Sequence, residues 1–179
     1  LAFDINKLDV PENFKVEIFV EDIEAPRQMA EGEDGYIFVG SKKGLVYAMR
    51  DHDGNGKIDD VEIIAKDLND SSGVAYHEGS LFIAEIDKVW RIDNIERQLA
   101  DFNDTVLEKT LVTDDLPSDA WHGRKWIKFD QDVSFLVNVG APFNVCLKDD
   151  PIYATIMRFR DSNWSIVARG VRNSVGFDF

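Results

Sequence analysis

Cysteine is almost missing from this chain: Cys146 stands alone among 179 residues. One thiol excludes an intrachain disulfide and a thiolate zinc cluster, and it fits either redox compartment. With no activating partner identifiable, Cys146 reads as a small buried hydrophobe rather than a nucleophile. Long apolar runs are missing too. No stretch approaches the roughly 18 residues of a spanning helix, so no membrane span is expected within this sequence. Positive charge is scarce: 20 Lys and Arg face 34 Asp and Glu, a net charge of −14. That balance excludes nucleic acid as a partner, because phosphate binding demands a basic footprint. It also disfavours docking on anionic lipid. Neither a basic nor an apolar leader region opens the chain at Leu1, which leaves a protein that was never exported or one already trimmed.

What is present points to a folded domain. Hydrophobic residues make up 44% and aromatics 11% of the chain, enough for a sizeable core at this length. The sequence also repeats itself. Segments 18–27, 64–72, 111–120 and 167–175 each combine an apolar pair, a charged residue, Asp or Gly, and an apolar anchor. The anchors Ile23, Leu68, Leu116 and Val171 recur at roughly 45–55 residues, a period of repeat architectures.

After each of the first three anchors comes the same succession of short apolar strands and acidic or glycine turns. The first unit turns at Glu31-Gly32-Glu33-Asp34-Gly35 between strands and continues through Tyr36–Val39 and Leu45–Met49. The second turns at His77-Glu78-Gly79 and continues through Leu81–Ala84 and Lys88–Ile92. The third turns at Asp130-Gln131-Asp132 and continues through Phe135–Val139 and Thr155–Phe159. Such Val-, Ile-, Phe- and Tyr-rich runs are poor helix candidates. One stretch differs: Ile95, Leu99 and Phe102 lie at helical spacing behind Asp93-Asn94, which predicts a short capped helix.

Four short strands per unit at this period is the pattern of an all-β fold, the β-propeller. The blades are expected at about 24–68, 69–116 and 117–171. Phe14–Val20 is expected as a leading or closing strand, and Val175–Phe179 as the first strand of the next blade. Three blades do not close a ring. Their open faces would expose apolar area, so a second chain or a further C-terminal half is expected to complete the propeller.

Residues Asp51–Glu62 match the twelve-residue calcium loop. Asp51, Asp53 and Asn55 supply oxygens at positions 1, 3 and 5, Gly56 permits the turn at 6, and Lys57 offers its carbonyl at 7. Ile58 packs inward at 8, Asp59 stands at 9 and Glu62 at 12, the place of a bidentate ligand. The flanks, Gly44–Arg50 and Val61–Leu68, read as strands, so this is a hairpin loop and not an EF-hand. A calcium ion there would be structural, and extracellular calcium tilts the expected compartment toward the periplasm or secretion. The bland alternative is a solvated acidic turn without metal.

Two segments break the blade pattern with polar residues: Asp119–Trp126 and Arg169–Ser174. Both lie just after an anchor, at the entry to an innermost strand, and such entries cluster around a propeller axis. His122 and Arg172 are therefore expected to converge, a base near neutral pH beside a holder of anions. The bland alternative makes His122 a structural histidine and Arg172 a surface cation. Trp90, Trp121, Trp126 and Trp164 read as blade-packing aromatics.

Three strings in order, Trp121–Ile127, Asn138–Cys146 and Arg169–Phe177, resemble the soluble glucose/sorbosone dehydrogenase family. The Pro11–Val16 opening and the calcium-type hairpin fit its sorbosone-dehydrogenase-like branch, over the N-terminal half only. The resemblance implies a six-bladed propeller that oxidises a sugar, aldose or sorbosone-type, with pyrroloquinoline quinone (PQQ). It implies His122 as the base that takes the hydroxyl proton, and Arg172 with Asn173 as quinone contacts. Arg124 and Lys125 are further cations without an assigned role. It implies a soluble or haem electron acceptor as partner. There are departures. Ala141 stands where the glucose-oxidising branch has an aspartate beside the base, and Phe143 replaces the first cysteine of a Cys-x-x-Cys pair. A rival reading is a non-catalytic, calcium-stabilised propeller acting as a binding module, since a fold does not dictate its function. A hydrolase-type propeller with calcium in its channel is a weaker third, because too few inward carboxylates are available.

Overall fold

The computed structural model describes residues 4–145 and 149–179, so Cys146 lies outside the described residues. The fold is a partial β-propeller of three four-stranded antiparallel sheets. The first blade holds β1 (Pro26–Glu31), β2 (Tyr36–Ser41), β3 (Val46–Arg50) and β4 (Asp60–Ala65). The second holds β5 (Gly73–His77), β6 (Ser80–Ala84), β7 (Val89–Ile92) and β8 (Thr110–Thr113). The third holds β9 (Ile127–Phe129), β10 (Phe135–Val139), β11 (Thr155–Arg160) and β12 (Asn163–Arg169). Within each blade the strands lie side by side in chain order. The first strands pack together across blades, β1 on β5 and β5 on β9, which makes them the inner strands.

Turn chemistry sets the registers. Between β5 and β6, His77 faces Ser80 across a two-residue loop in which Glu78 and Gly79 carry φ of 46° and 73°. Two successive positive φ values are the type I′ geometry whose twist matches a hairpin. Because side chains alternate along a strand, each register sorts its residues to two faces. Val74, Leu81, Ile83 and Ile92 face the first blade, while Ala75, Phe82, Ala84 and Val89 face the third. The middle blade is thus buried on both sides. That explains why Leu81–Ala84 is a continuous apolar run rather than an alternating one. Truncating fully buried Ile83 to Ala would cost roughly 2–5 kcal/mol.

Gln28, only 5% exposed on β1, ties all three blades. Its Oε1 accepts from the amides of Val74 (3.3 Å) and Ile127 (3.0 Å), and its Nε2 donates to the Ile127 carbonyl (2.6 Å). A polar side chain buried this deeply is tolerable because its donor and acceptor are engaged.

The terminal segments differ from expectation. Phe14–Val20 and Val175–Phe179 lie outside any strand ladder. A strand needs a neighbour to satisfy its amides, and neither segment pairs with an edge strand among the described residues. Instead Val20 and Ile23 pack on Val39, Tyr47 and Met49 of the first blade's outer face. The Phe19 carbonyl accepts from the Ile58 amide at 3.1 Å. At the other end Asp178 pairs with Lys128. Side chains such as Phe14 and Val175 remain largely exposed.

A short helix, α1 (Ile95–Ala100), buries Ile95 and Leu99 as their spacing implies, with Phe102 packed beside them. The cap expected from Asp93-Asn94 takes another form. Asn94 adopts φ 49° and its side chain makes no cap bond; Gln98 reaches back to the Asp93 carbonyl at 2.6 Å.

Candidate functional site

The entries to the inner strands meet around one cleft of about 690 Å³. Arg27 and Gln28 come from β1, Ser72 precedes β5, Trp121, His122 and Lys125 precede β9, and Asn173 follows β12. Residues distant in sequence are brought together because each blade delivers its inner entry to the same end of the axis.

His122 sits in a turn closed by the Gly123 amide on the Ala120 carbonyl (3.2 Å) and carries φ 54°. A non-glycine residue held in the left-handed region is strained by about 1–3 kcal/mol and persists only where its surroundings over-determine it. Those surroundings are visible. The His122 Nδ1 lies 2.6 Å from the Ala141 carbonyl oxygen. A carbonyl can only accept, so Nδ1 carries a proton, and in the neutral ring the lone pair is on Nε2. The backbone of Ala141 thereby orients the ring through its carbonyl. Gly140 makes this approach possible, since a Cβ there would overlap the His122 carbonyl oxygen and come within 2.7 Å of its Cβ.

Arg172 is adjacent through the backbone: its carbonyl accepts from the Ala141 amide at 2.8 Å. Its guanidinium turns to the Asn144 side chain. Asn173, not Arg172, lines the cleft with His122. Three other cations stand there: Arg27, Arg124 and Lys125. Arg124 pairs with Asp70 at 2.9 Å. Lys125 is 3% exposed and donates to the Gly123 carbonyl at 2.5 Å. Burial pushes its pKa down to about 8, against the opposing pull of Asp87, Asp119 and Asp70.

The tryptophans divide into two pairs. Trp90 and Trp164 pack in the cores between blades. Trp126 is half-buried at the cleft wall, and Trp121 is 57% exposed there with its ring 5.3 Å from that of His122. Trp121 is therefore no blade-packing residue. Its position is set by the turn, which sequence periodicity does not describe.

The hairpin loop between β3 and β4 is built from local bonds. Asp51 accepts from the amides of Gly54 (2.8 Å), Asn55 (3.3 Å) and Gly56 (2.8 Å). These bonds, that of Gly56 foremost, hold its carboxyl below the usual carboxylate range. Asp53 takes the Asn55 amide, Asn55 takes that of Lys57, and Asp59 takes that of His52. Asp51, Asp53 and Asp59 bring an oxygen each within 4.8 Å of one another. Glu62 is not among them. It sits inside β4 opposite Ala48, and a strand rising about 3.3 Å per residue carries it away from the loop. Desolvation, with Asp104 and Asp60 nearby, raises its pKa.

Two residues escaped sequence reasoning. Gln28 leaves one signal, a long amide in an apolar-spaced strand. Asn138 on β10 accepts from the Trp126 amide (2.5 Å) and donates to the Arg124 carbonyl (2.9 Å), stitching the cleft wall to its blade.

No family model matches this chain. A Borreliella burgdorferi protein described as uncharacterized is 34% identical over 184 residues, covering 96% of this chain and 46% of that protein. The PQQ domain of Coprinopsis cinerea pyranose dehydrogenase, in its holo form, superposes with a TM-score of 0.77 at 16% identity. That match covers 94% of this chain and 44% of the other. The calcium structure of a Trichoderma reesei carbohydrate-active enzyme of family AA12 gives 0.67 at 15%, over 88% and 44%. A putative oxidoreductase (glucose dehydrogenase) from Thermus thermophilus gives 0.59 at 20%, over 83% and 48%. The chain has a PQQ-dependent sugar dehydrogenase-like fold. It spans about half the length of the proteins it matches. Among the described residues no helix is long and apolar enough to cross a membrane.

Proposed function

We propose that this chain forms about half of a PQQ-dependent sugar dehydrogenase of the aldose or sorbosone type, working in the periplasm or outside the cell. The observation that carries the reading is the His122 imidazole, whose Nδ1 is engaged by a backbone carbonyl and whose ring shares a cleft with buried Lys125 and the exposed Arg27 and Arg124. Nε2 is the atom that takes the proton from the sugar hydroxyl. The residues fit a planar polyanionic quinone. Lys125 is buried at the cleft without an ion pair among the described residues, and Arg27, Arg124, Asn173 and Ser174 add donors beside flat Trp126. Arg124 is already paired with Asp70, so Arg27 and Lys125 are the cleft cations that supply charge for an anion. When bound, the quinone supplies the acceptor for the hydride that leaves the carbinol carbon.

Calcium belongs to the same reading, held by Asp51, Asp53 and Asp59 with the Asn55 side chain and the Lys57 carbonyl. The support is the convergence of the three carboxylates and the match to the loop pattern. Its role is to staple the hairpin.

A second reading, a binding module without catalysis, draws on the Arg172 guanidinium, which turns to Asn144 rather than into the cleft. One experiment separates them. The full-length protein is loaded with PQQ and calcium, gel-filtered, and assayed for dye reduction by aldoses, beside a His122→Ala variant. Retained quinone absorbance with turnover lost in the variant supports the enzyme. No retained quinone and no turnover refutes it.

A further inference from the structure

We propose that Lys125 is the positioning residue of the His122 turn: its ammonium, sealed beneath that turn, sets the direction in which the imidazole meets the cleft. The proposal rests on the reading of His122 as the base, and it gives the buried ammonium a positioning task beside its place among the cleft cations.

The geometry is a chain of contacts. Lys125 Nζ donates to the Gly123 carbonyl at 2.5 Å, and the Gly123 amide closes the turn on Ala120 at 3.2 Å. His122 lies between those residues with φ 54°, and its Nδ1 is held from the other side by Ala141. The turn is therefore gripped at two points, at the Gly123 carbonyl by Lys125 and at the His122 ring by Ala141. A residue kept in the left-handed region needs such grips.

The neighbouring charges show why the ammonium goes to a carbonyl. Asp70, from the connection between β4 and β5, holds Arg124 at 2.9 Å. Asp87, from the turn between β6 and β7, holds Lys88 at 2.8 Å. Asp119, from the connection between β8 and β9, accepts from the Tyr153 hydroxyl at 2.5 Å. These three acids face Lys125 and favour its charged form, yet none pairs with it. Packing alone would be served better by methionine, which fills the same space without a buried charge. A lysine buried beside a cleft, with its pKa lowered to about 8, is a candidate for a functional position.

The test reads the His122 ring directly by nitrogen NMR of the full-length protein labelled at histidine. In the native protein the ring should show one tautomer, with the proton on Nδ1, and a second inflection as Lys125 loses its proton near pH 8. In Lys125→Met the ring should populate both tautomers and lose that inflection, while Lys125→Arg should restore the single tautomer. If the enzyme reading holds, Lys125→Met should also lower kcat about 10-fold with little change in KM. A folded Lys125→Met protein with native His122 signals and titration overturns the proposal. Should that variant not fold, the native titration decides alone: no inflection near pH 8 overturns it. Native His122 signals in a protein without dye reduction would sink the dehydrogenase reading and leave the positioning role standing.

Discussion

The hairpin loop and the cleft are built on opposite principles. The side-chain bonds that shape the Asp51–Asp59 loop join residues at most eight positions apart, and one longer tie runs from the Ile58 amide to the Phe19 carbonyl. The cleft is held by contacts between Gln28 and Ile127, His122 and Ala141, and Arg124 and Asp70. These join residues 99, 19 and 54 positions apart. A local loop can form wherever its twelve residues occur. The cleft exists only after three blades have docked, so its chemistry is coupled to global stability.

That contrast can be broken by experiment. The largest effect is expected from Gln28→Ala, which strands two buried amides and a carbonyl at the junction of the blades. The cost should be about 3–5 kcal/mol, read as a fall in denaturant midpoint. Calcium binding by the loop should persist in whatever fraction remains folded. If this variant melts like the native protein, the inner strands are not joined as described.

Next comes Lys125, whose folded pKa of about 8 lies below its ordinary 10.5. Between those values the unfolded chain holds the proton and the folded chain does not, so stability from this group rises with pH from about 8 to 10.5. Its full extent is about 3 kcal/mol at most. Urea melts of the native protein and of Lys125→Met across that window should diverge by this rise. Parallel curves would show the ammonium to be solvated.

Gly140→Ala is expected to cost about 2 kcal/mol, because a Cβ there meets His122 backbone rather than a yielding side-chain tip. It should also displace the imidazole, so that activity falls further than stability. A variant with native turnover would disconnect Gly140 from the His122 approach.

The smallest effect belongs to the loop. Calcium should raise the native melting temperature by about 5 °C, and Asp51→Asn should abolish that rise while leaving the calcium-free melting point nearly unchanged. Glu62→Gln should keep the calcium response, since Glu62 lies apart from the three-carboxylate group. Loss of the response in Glu62→Gln would show that the strand bends to bring position 12 into the loop.

Much of the fold was legible because strand periods and turn residues are local signals. The runs Tyr36–Val39, Leu81–Ala84, Phe135–Val139 and Thr155–Phe159 fall within β2, β6, β10 and β11. Legibility failed where a partner decides the state. Phe14–Val20 and Val175–Phe179 carry strand-like apolar residues but pair with no strand, and strand character without a neighbour is only extended chain. Glu62 failed for a related reason. The twelve-position pattern assumes that the chain after the loop curls back as a helix, whereas here it leaves as β4. His122 lines the cleft, but its bond to the Ala141 carbonyl was invisible, since any residue has a carbonyl.

By itself the amino-acid order determined the blade repeat, the hairpin turns and the acidic loop, because each follows from steric and hydrogen-bonding preferences within a few residues. Only the packed structure decided which nitrogen of His122 is free, that Arg172 turns to Asn144, that Trp121 faces the cleft, and that Lys125 is buried beneath the turn. Those outcomes depend on directions and distances between blades, and no short stretch of chain encodes them.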